Sequence, residues 1–174
     1  ISQHRRHLAS QGEIAWVKNN LGNHIAFDGI DDHLVSDVVD FNLASYALCF
    51  WVNFKQLAMQ QSGQYCPILV IGDSKGVNDL EVYLNEFEES QMPVVFHNRG
   101  NGHQDAYAKW SSENHGKAAS EYNGVWSHWV ISYDSSSRAA SVYINGERLG
   151  ESKVVENGAV ATANKRFFLN RVYS

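Results

Sequence analysis

The fold of this chain is decided by residues 124–150, which read GVWSHWVISYDSSSRAASVYINGERLG. Residues in both halves of this stretch alternate between two sides with period two, with Val142 and Ile144 on one side, which is typical of strands in a sheet. A serine-rich turn joins the two halves. Asn145 followed by Gly146 is the strongest short signal for a β-hairpin turn. Repeated along the chain, such elements predict an antiparallel β-sandwich.

Turn residues separate further strand-like runs, and no internal repeat or low-complexity linker interrupts them. The segment 56–62 is a candidate for one helical turn, and 103–122 is predicted to be a long, polar, irregular loop. The run 46–55 is apolar on both faces, which predicts a central strand. The predicted strands are 24–28, 32–36, 46–55, 66–72, 79–85, 92–98, 126–134, 139–145 and 166–171.

The size and composition of the chain indicate one globular domain over residues 1–174. A chain of 174 residues is long enough for a single sandwich with its own core, and 44% of the residues are hydrophobic. The net charge of −5, with both signs interspersed, argues against a nucleic-acid partner, which would require a basic face. No apolar run is long enough to span a membrane, so no membrane insertion is expected.

The two cysteines lie in consecutive predicted strands. Cys49 is inside 46–55 and Cys66 opens 66–72. They could form a disulfide if these strands are neighbours, because a disulfide needs Cα atoms within about 7 Å of each other. The alternative is a pair of buried thiols.

Catalytic patterns are weak, and we predict that the protein is not an enzyme. A retaining glycanase needs two carboxylates about 5–5.5 Å apart. Glu86 and Glu88 have strand spacing, but they fall in a predicted turn, which favours a solvated acidic loop. No Gly-x-Ser-x-Gly motif is present, and His128 is interpreted as a packed strand residue.

One acidic cluster is compatible with a metal ion. Asp28, Asp31 and Asp32 lie in a tight turn, and calcium prefers six to eight oxygen ligands, many of them carboxylates. The alternative is ordinary turn chemistry, in which aspartate side chains accept hydrogen bonds from nearby backbone N–H groups.

Five segments in order resemble the laminin-G-like, concanavalin A-like jelly-roll domains, with the pentraxin-like branch the most similar. They are HIAFDGIDDHLV, YALCFWVNFKQ, ILVIGDSKGVNDLEVYLN, PVVFHNRG and GVWSHWVISYDSSSRAASVYINGERLG. The resemblance covers nearly the whole chain and implies a two-sheet jelly roll. Members of this group have a further strand at each end, which we do not recognise here. We therefore expect either a piece of a longer polypeptide or a sheet completed by another chain.

The resemblance also implies a calcium site at one rim of the sandwich. Asn78 or Asp79 would supply the first ligand, the end of the strand at Asn98 the second, and Asn164 the third. Asn in place of Asp would weaken this site.

The same rim carries ligand recognition in these domains. Amide and guanidinium groups supply directed hydrogen bonds, and aromatic rings supply a stacking surface, which together suit a carbohydrate. The rim residues predicted to bind a ligand are Asn98, Arg99, Asn101, His103, Gln104, Tyr107 and Trp110.

We therefore expect a non-catalytic, calcium-assisted binding and adhesion module that is extracellular or on the cell surface and recognises carbohydrate or a surface protein. The alternative is a structural domain of a surface filament or virion-like assembly, packed against neighbouring subunits, which would bury Trp51 or the 103–122 loop. A third alternative is a glycan-active hydrolase or lyase, which would need two convergent carboxylates on one sheet.

Overall fold

A computed structural model of the protein describes residues 8–20, 22–28, 30–43, 45–55, 66–72, 78–84, 94–99, 105–109, 119–134, 136–137, 139–149, 151–153 and 160–170. The strands are β1 (Leu8–Gln11), β2 (Ala15–Asn19), β3 (Gly22–Ala26), β4 (His33–Ser36), β5 (Val39–Leu43), β6 (Tyr46–Val52), β7 (Cys66–Gly72), β8 (Asn78–Leu84), β9 (Val94–Arg99), β10 (Asp105–Lys109), β11 (Ser127–Asp134), β12 (Ala139–Ile144), β13 (Glu147–Leu149), β14 (Glu151–Lys153) and β15 (Val160–Leu169). One 3₁₀ helix spans Ala119–Tyr122. None of the described residues forms a helix long and apolar enough to cross a membrane.

The strands form two large antiparallel sheets and one hairpin. The nine-stranded sheet has the order β1-β4-β15-β7-β8-β9-β10-β14, with β5 also paired to β15. The four-stranded sheet has the order β13-β12-β11-β6, and β2 pairs with β3 in a sheet of their own. The predicted all-β, antiparallel two-sheet sandwich is therefore confirmed.

A single hydrophobic core joins the two large sheets. The four-stranded sheet contributes Trp129, Ile131 and Ile144, and the nine-stranded sheet contributes Ile71 and Val82, each at most 1% exposed. Because apolar burial drives folding, this shared core holds the two sheets face to face.

The predicted hairpin of residues 126–145 is confirmed. Strands β11 and β12 pair from Trp129 opposite Ile144 to the turn after Asp134. At the next turn Asn145 and Gly146 have φ angles of 52° and 85°, the left-handed values that a two-residue hairpin turn requires. The side chain of Asn145 also stabilises this turn, because its Oδ1 accepts a hydrogen bond of 2.9 Å from the backbone N of His128.

The serine-rich turn is organised around one carboxylate. Oδ1 of Asp134 accepts hydrogen bonds from the backbone N and the hydroxyl of Ser136 at 3.0 and 2.8 Å, and Oδ2 accepts one from the hydroxyl of Ser137 at 2.8 Å. The bonds from Ser137 and then Ser136 hold the pKa of Asp134 below its ordinary value, because they favour the charged form.

The prediction that 46–55 forms a central strand is wrong. In the described part of the chain β6 pairs only with β11 and ends the four-stranded sheet. Its inward residues are half-buried, whereas Ala47, Cys49 and Trp51 are exposed. By contrast, β7 has buried residues on both faces, because Val70 and Ile71 are at most 1% exposed. An apolar pattern on both faces of a strand therefore does not show whether a face is covered or exposes an aromatic residue to solvent.

The predicted irregular loop 103–122 is also wrong in part. Residues 105–109 form β10, which pairs with β9 and β14, and residues 119–122 form the 3₁₀ helix. The candidate helical turn at 56–62 lies outside the described residues. The predictions omitted β1, β2, β5, β10, β13 and β14.

The condition for a disulfide between Cys49 and Cys66 is not met. Their strands, β6 and β7, belong to different sheets, and Cys49 is a free, exposed thiol. The alternative of two buried thiols is wrong for Cys49 as well, because its side chain points away from the core.

Candidate functional site

The predicted calcium ligands of the rim lie at one end of the nine-stranded sheet. Asn78 and Asp79 begin β8, and Asn98 is paired with the residue that follows them. Asn164 lies in β15, two residues before Arg166. Arg166 is paired with Gly72, the last residue of β7, and Gly72 is also paired with Asn78. The strand register thus brings the four backbone positions to the same end of the sheet. A calcium ion there stays a prediction.

The structure describes only some of the predicted ligand-binding residues. Arg99 ends β9 next to Asn98, whereas Tyr107 lies inside β10, opposite His97, and not in a loop. The acidic candidates Glu86 and Glu88 lie outside the described residues. The same holds for the other predicted ligand residues, Asn101, His103, Gln104 and Trp110.

The acidic loop, which we define as Asp28 and residues 30–32, lies between β3 and β4. One carboxylate oxygen from each of Asp28, Asp31 and Asp32 lies within 4.8 Å of the others. Asp28 and Asp31 are exposed, and Asp32 is buried. Part of this arrangement is turn chemistry, since Oδ1 of Asp28 accepts a 2.8 Å hydrogen bond from the backbone N of Ile30.

Asp32 connects the acidic loop to two other segments. Its Oδ2 accepts a 3.1 Å hydrogen bond from the backbone N of Asp28, and its carbonyl oxygen accepts one of 2.8 Å from Nδ2 of Asn170, just beyond β15. Gly12, just beyond β1, lies against its side chain. The loop is therefore held to segments from both ends of the described chain.

The outer face of the four-stranded sheet is the second candidate surface. Strand pairing places outward residues of all four strands in rows, with Trp51 opposite His128 and Cys49 in line with Val130 and Tyr143. A row across four strands is about 14 Å wide, given a spacing of about 4.8 Å between strands. The residues that define this outer face are Ala47, Cys49, Trp51, His128, Val130, Ser132, Asp134, Ala139, Ser141, Tyr143 and Arg148.

Trp51 dominates this outer face. Its side chain is 65% exposed, and its ring lies 5.2 Å from the ring of His128 at an angle of 42°. The contact between two directly opposed residues supports the indole on one side and leaves most of it open to solvent. A flat aromatic surface among hydroxyl, imidazole and guanidinium groups can stack against an apolar face and hydrogen-bond its polar edge.

Sequence reasoning missed this outer face, although its signal was available. The period of two along this strand puts Trp51 and Cys49 on the side opposite to Leu48 and Phe50. What the pattern could not reveal is that β6 borders β11, so that Trp51 meets His128 across the strands. His128 is half-buried in this contact, which confirms its interpretation as a packed strand residue.

Comparison with known families identifies the chain at the level of its superfamily. Residues 28–172 match the family described as the concanavalin A-like lectin/glucanases superfamily. Because this match spans most of the chain, the protein belongs to that superfamily, and the resemblance to laminin-G-like and concanavalin A-like domains is confirmed. No curated protein matches the sequence.

Solved structures share the fold at low sequence identity. Domain 4 of an extracellular arabinanase from Geobacillus stearothermophilus, in complex with arabinotriose, is 17% identical with a TM-score of 0.59, over 94% of this chain and 72% of that one. The binding domain of Botulinum neurotoxin DC, in complex with SialylT, is 12% identical with a TM-score of 0.60, over 95% of this chain and 39% of that one.

A third relative is the heptameric SAP-like pentraxin from Limulus polyphemus, which is 14% identical with a TM-score of 0.55, over 81% of this chain and 58% of that one. The chain thus spans less than two thirds of the pentraxin and of the neurotoxin chain. At these identities the likeness concerns the fold alone.

Proposed function

We propose that the protein is a non-catalytic, extracellular carbohydrate-binding module whose ligand stacks on Trp51. The observation that carries this proposal is the 65% exposure of Trp51 at 5.2 Å from the ring of His128. Exposing a large aromatic surface to water is unfavourable, so a supported but open indole is typical of a binding surface. The apolar face of a sugar ring fits this surface, and the hydroxyls of the sugar would meet Ser132, Tyr143 and Arg148.

Two of the structures with this fold support a carbohydrate ligand. The arabinanase domain is in complex with arabinotriose and the neurotoxin domain with SialylT. Fold does not determine function, so this support is limited to the class of ligand. The arabinanase is named as extracellular, which supports an extracellular location for this chain as well.

The absence of catalysis is part of the proposal. Glycoside hydrolysis needs a pair of carboxylates beside the scissile bond. Among the described strand residues that define the outer face, the one carboxylate is Asp134, which lies six residues from His128 along β11, about 20 Å away. A sugar stacked on Trp51 would therefore meet neutral and basic groups, with no pair of carboxylates from the described outer face beside it.

The test is a glycan array that includes arabino-oligosaccharides and sialylated glycans, probed with and without calcium. We expect selective binding by the wild type. Trp51→Ala should lose about tenfold or more in affinity, as truncation of a central aromatic residue commonly does. The matched control is Trp16→Ala in the β2–β3 hairpin, because Trp16 is 75% exposed but belongs to another sheet. A blank array from folded protein, or equal binding by both variants, would contradict the proposal.

Calcium dependence on the array tests the rim prediction separately. If binding requires calcium and Asp79→Asn removes it, recognition occurs at the rim. If binding survives chelation but not Trp51→Ala, recognition occurs on the outer face.

A structural assembly domain is the second candidate, and β6 favours it. This strand ends its sheet in the described part of the chain; it carries the exposed Trp51, and Val125 is 48% exposed. Sheet edges offer backbone groups for pairing with another chain. This candidate predicts a blank glycan array together with concentration-dependent self-association that Trp51→Lys abolishes, measured by light scattering after size-exclusion chromatography.

A further inference from the structure

The spacing of the three carboxylates in the acidic loop fits one cation. Their oxygens lie within 4.8 Å of one another. Calcium–oxygen distances of about 2.3–2.6 Å put two oxygens on opposite sides of one ion about 4.6–5.2 Å apart. Asp28, Asp31 and Asp32 can therefore all be ligands of a single calcium ion.

An independent observation is the state of the Asp32 side chain. It is 2% exposed, and its Oδ1 is buried with no hydrogen-bond partner. Burial of a charged oxygen without a partner is strongly unfavourable, so buried carboxylates are normally paired or coordinate a metal. A cation held by the acidic loop would give this oxygen the partner that it lacks.

Gly12 packs closely against that oxygen. A Cβ atom at this position would lie 2.5 Å from Oδ1 of Asp32, and the φ angle of Gly12 is +79°. Glycine adopts this backbone conformation without strain and has no Cβ atom to collide with the carboxylate. Glycine at position 12 therefore allows the backbone to pack directly against the buried side chain of Asp32.

The donor set favours calcium over other common ions. Three carboxylates without a sulfur ligand suit a hard cation. His33 follows the cluster, but its Nδ1 lies 3.1 Å from the carbonyl oxygen of Asp31, which already satisfies that nitrogen. Calcium accepts an irregular set of oxygens, whereas magnesium requires near-octahedral geometry.

We propose that Asp28, Asp31 and Asp32 bind one calcium ion with a structural role. Through Asp32 this ion stabilises the contacts of the acidic loop with Gly12 after β1 and with Asn170 after β15. The loop leads into β4 of the nine-stranded sheet, whereas Trp51 lies on the four-stranded sheet. The calcium site is thus independent of the proposed carbohydrate site.

The test is a titration of chelator-treated full chain with calcium chloride, followed by thermal unfolding and isothermal titration calorimetry. A ligand that binds only the folded state raises the unfolding midpoint as its concentration rises. We expect this rise with calcium and a much smaller one with magnesium at the same concentration. Trp51→Ala should keep the full calcium response, which separates this proposal from the carbohydrate proposal.

The key variant is Asp31→Asn, because Asp31 is exposed and its carboxylate makes no hydrogen bond with a described residue, so the fold should tolerate the change. Loss of one charged ligand should weaken calcium binding about tenfold or more. The control is Asp37→Asn, a nearby exposed aspartate of which only the backbone carbonyl accepts a described hydrogen bond. Wild-type protein without a calcium response at millimolar concentration, or an unchanged response in Asp31→Asn, would overturn the proposal.

Discussion

At the scale of single residues, two tryptophans on neighbouring strands have opposite roles. Trp129 is 1% exposed, and its ring lies 6.2 Å from that of Phe50 and 5.7 Å from that of Phe54. Trp51 is 65% exposed on the other face of the same sheet. Residue type therefore does not decide whether an indole stabilises the core or is available to a ligand. The direction of its side chain decides that.

This contrast predicts different effects of the same substitution on stability. Trp129→Ala should lower the free energy of unfolding by about 3–5 kcal/mol, because it removes a large buried side chain and leaves a cavity. Trp51→Ala should change it by about 0.5 kcal/mol or less, because little buried area is lost. Urea unfolding of both variants measures the difference. Equal destabilisation would mean that Trp51 is a core residue and not a surface for a ligand.

At the scale of elements, turns set the register of the four-stranded sheet. The turn between β11 and β12 depends on a charged group, since Asp134 accepts all of its hydrogen bonds as a carboxylate. The turn between β12 and β13 depends on backbone conformation, since Asn145 and Gly146 both have positive φ angles. Only the first of these two turns should respond to pH.

The lowered pKa of Asp134 fixes the sign of that response. The contribution of Asp134 to stability is present above its ordinary pKa of 3.8 and is lost as the pH falls through the lower pKa of the folded state. In Asp134→Asn the slope of unfolding free energy against pH should therefore be shallower below about pH 4. Urea unfolding from pH 2 to 7 measures it, with Asp37→Asn as control. An unchanged slope would show that the serine hydrogen bonds do not favour the charged form.

At the scale of the whole molecule, the two large sheets share one core. Ile71 comes from the nine-stranded sheet and Ile144 from the four-stranded sheet, and both belong to the same buried cluster. Unfolding of either sheet would expose the inner face of the other sheet to water. We therefore expect the described strands to unfold as one cooperative unit.

A matched pair of conservative variants tests this cooperativity. Ile71→Val and Ile144→Val should each lower the free energy of unfolding by about 0.5–1.5 kcal/mol, because each removes one buried methylene group. Both should shift the denaturation midpoints by near-UV and far-UV circular dichroism together. If Ile71→Val shifts the denaturation midpoint in only one of the two spectral regions, the nine-stranded sheet unfolds separately and the core does not couple the two sheets.

The class of fold and the positions of most strands follow from the amino-acid sequence alone. Two local signals are the alternation around Val142 and Ile144 and the turn residues Asn145 and Gly146. Both depend on the backbone preferences of residues close together in the sequence. The acidic loop was also visible, because its three aspartates lie within five positions. Such features need no knowledge of distant contacts.

Long-range packing in the folded protein determines which strands are neighbours and which faces are covered. It placed β6 at the end of its sheet, which separated Cys49 from Cys66 and brought Trp51 to His128. It also buried Asp32 against Gly12, a contact between residues twenty positions apart. These outcomes depend on pairing between remote segments, and the period of a strand specifies two faces without saying which one the rest of the molecule covers.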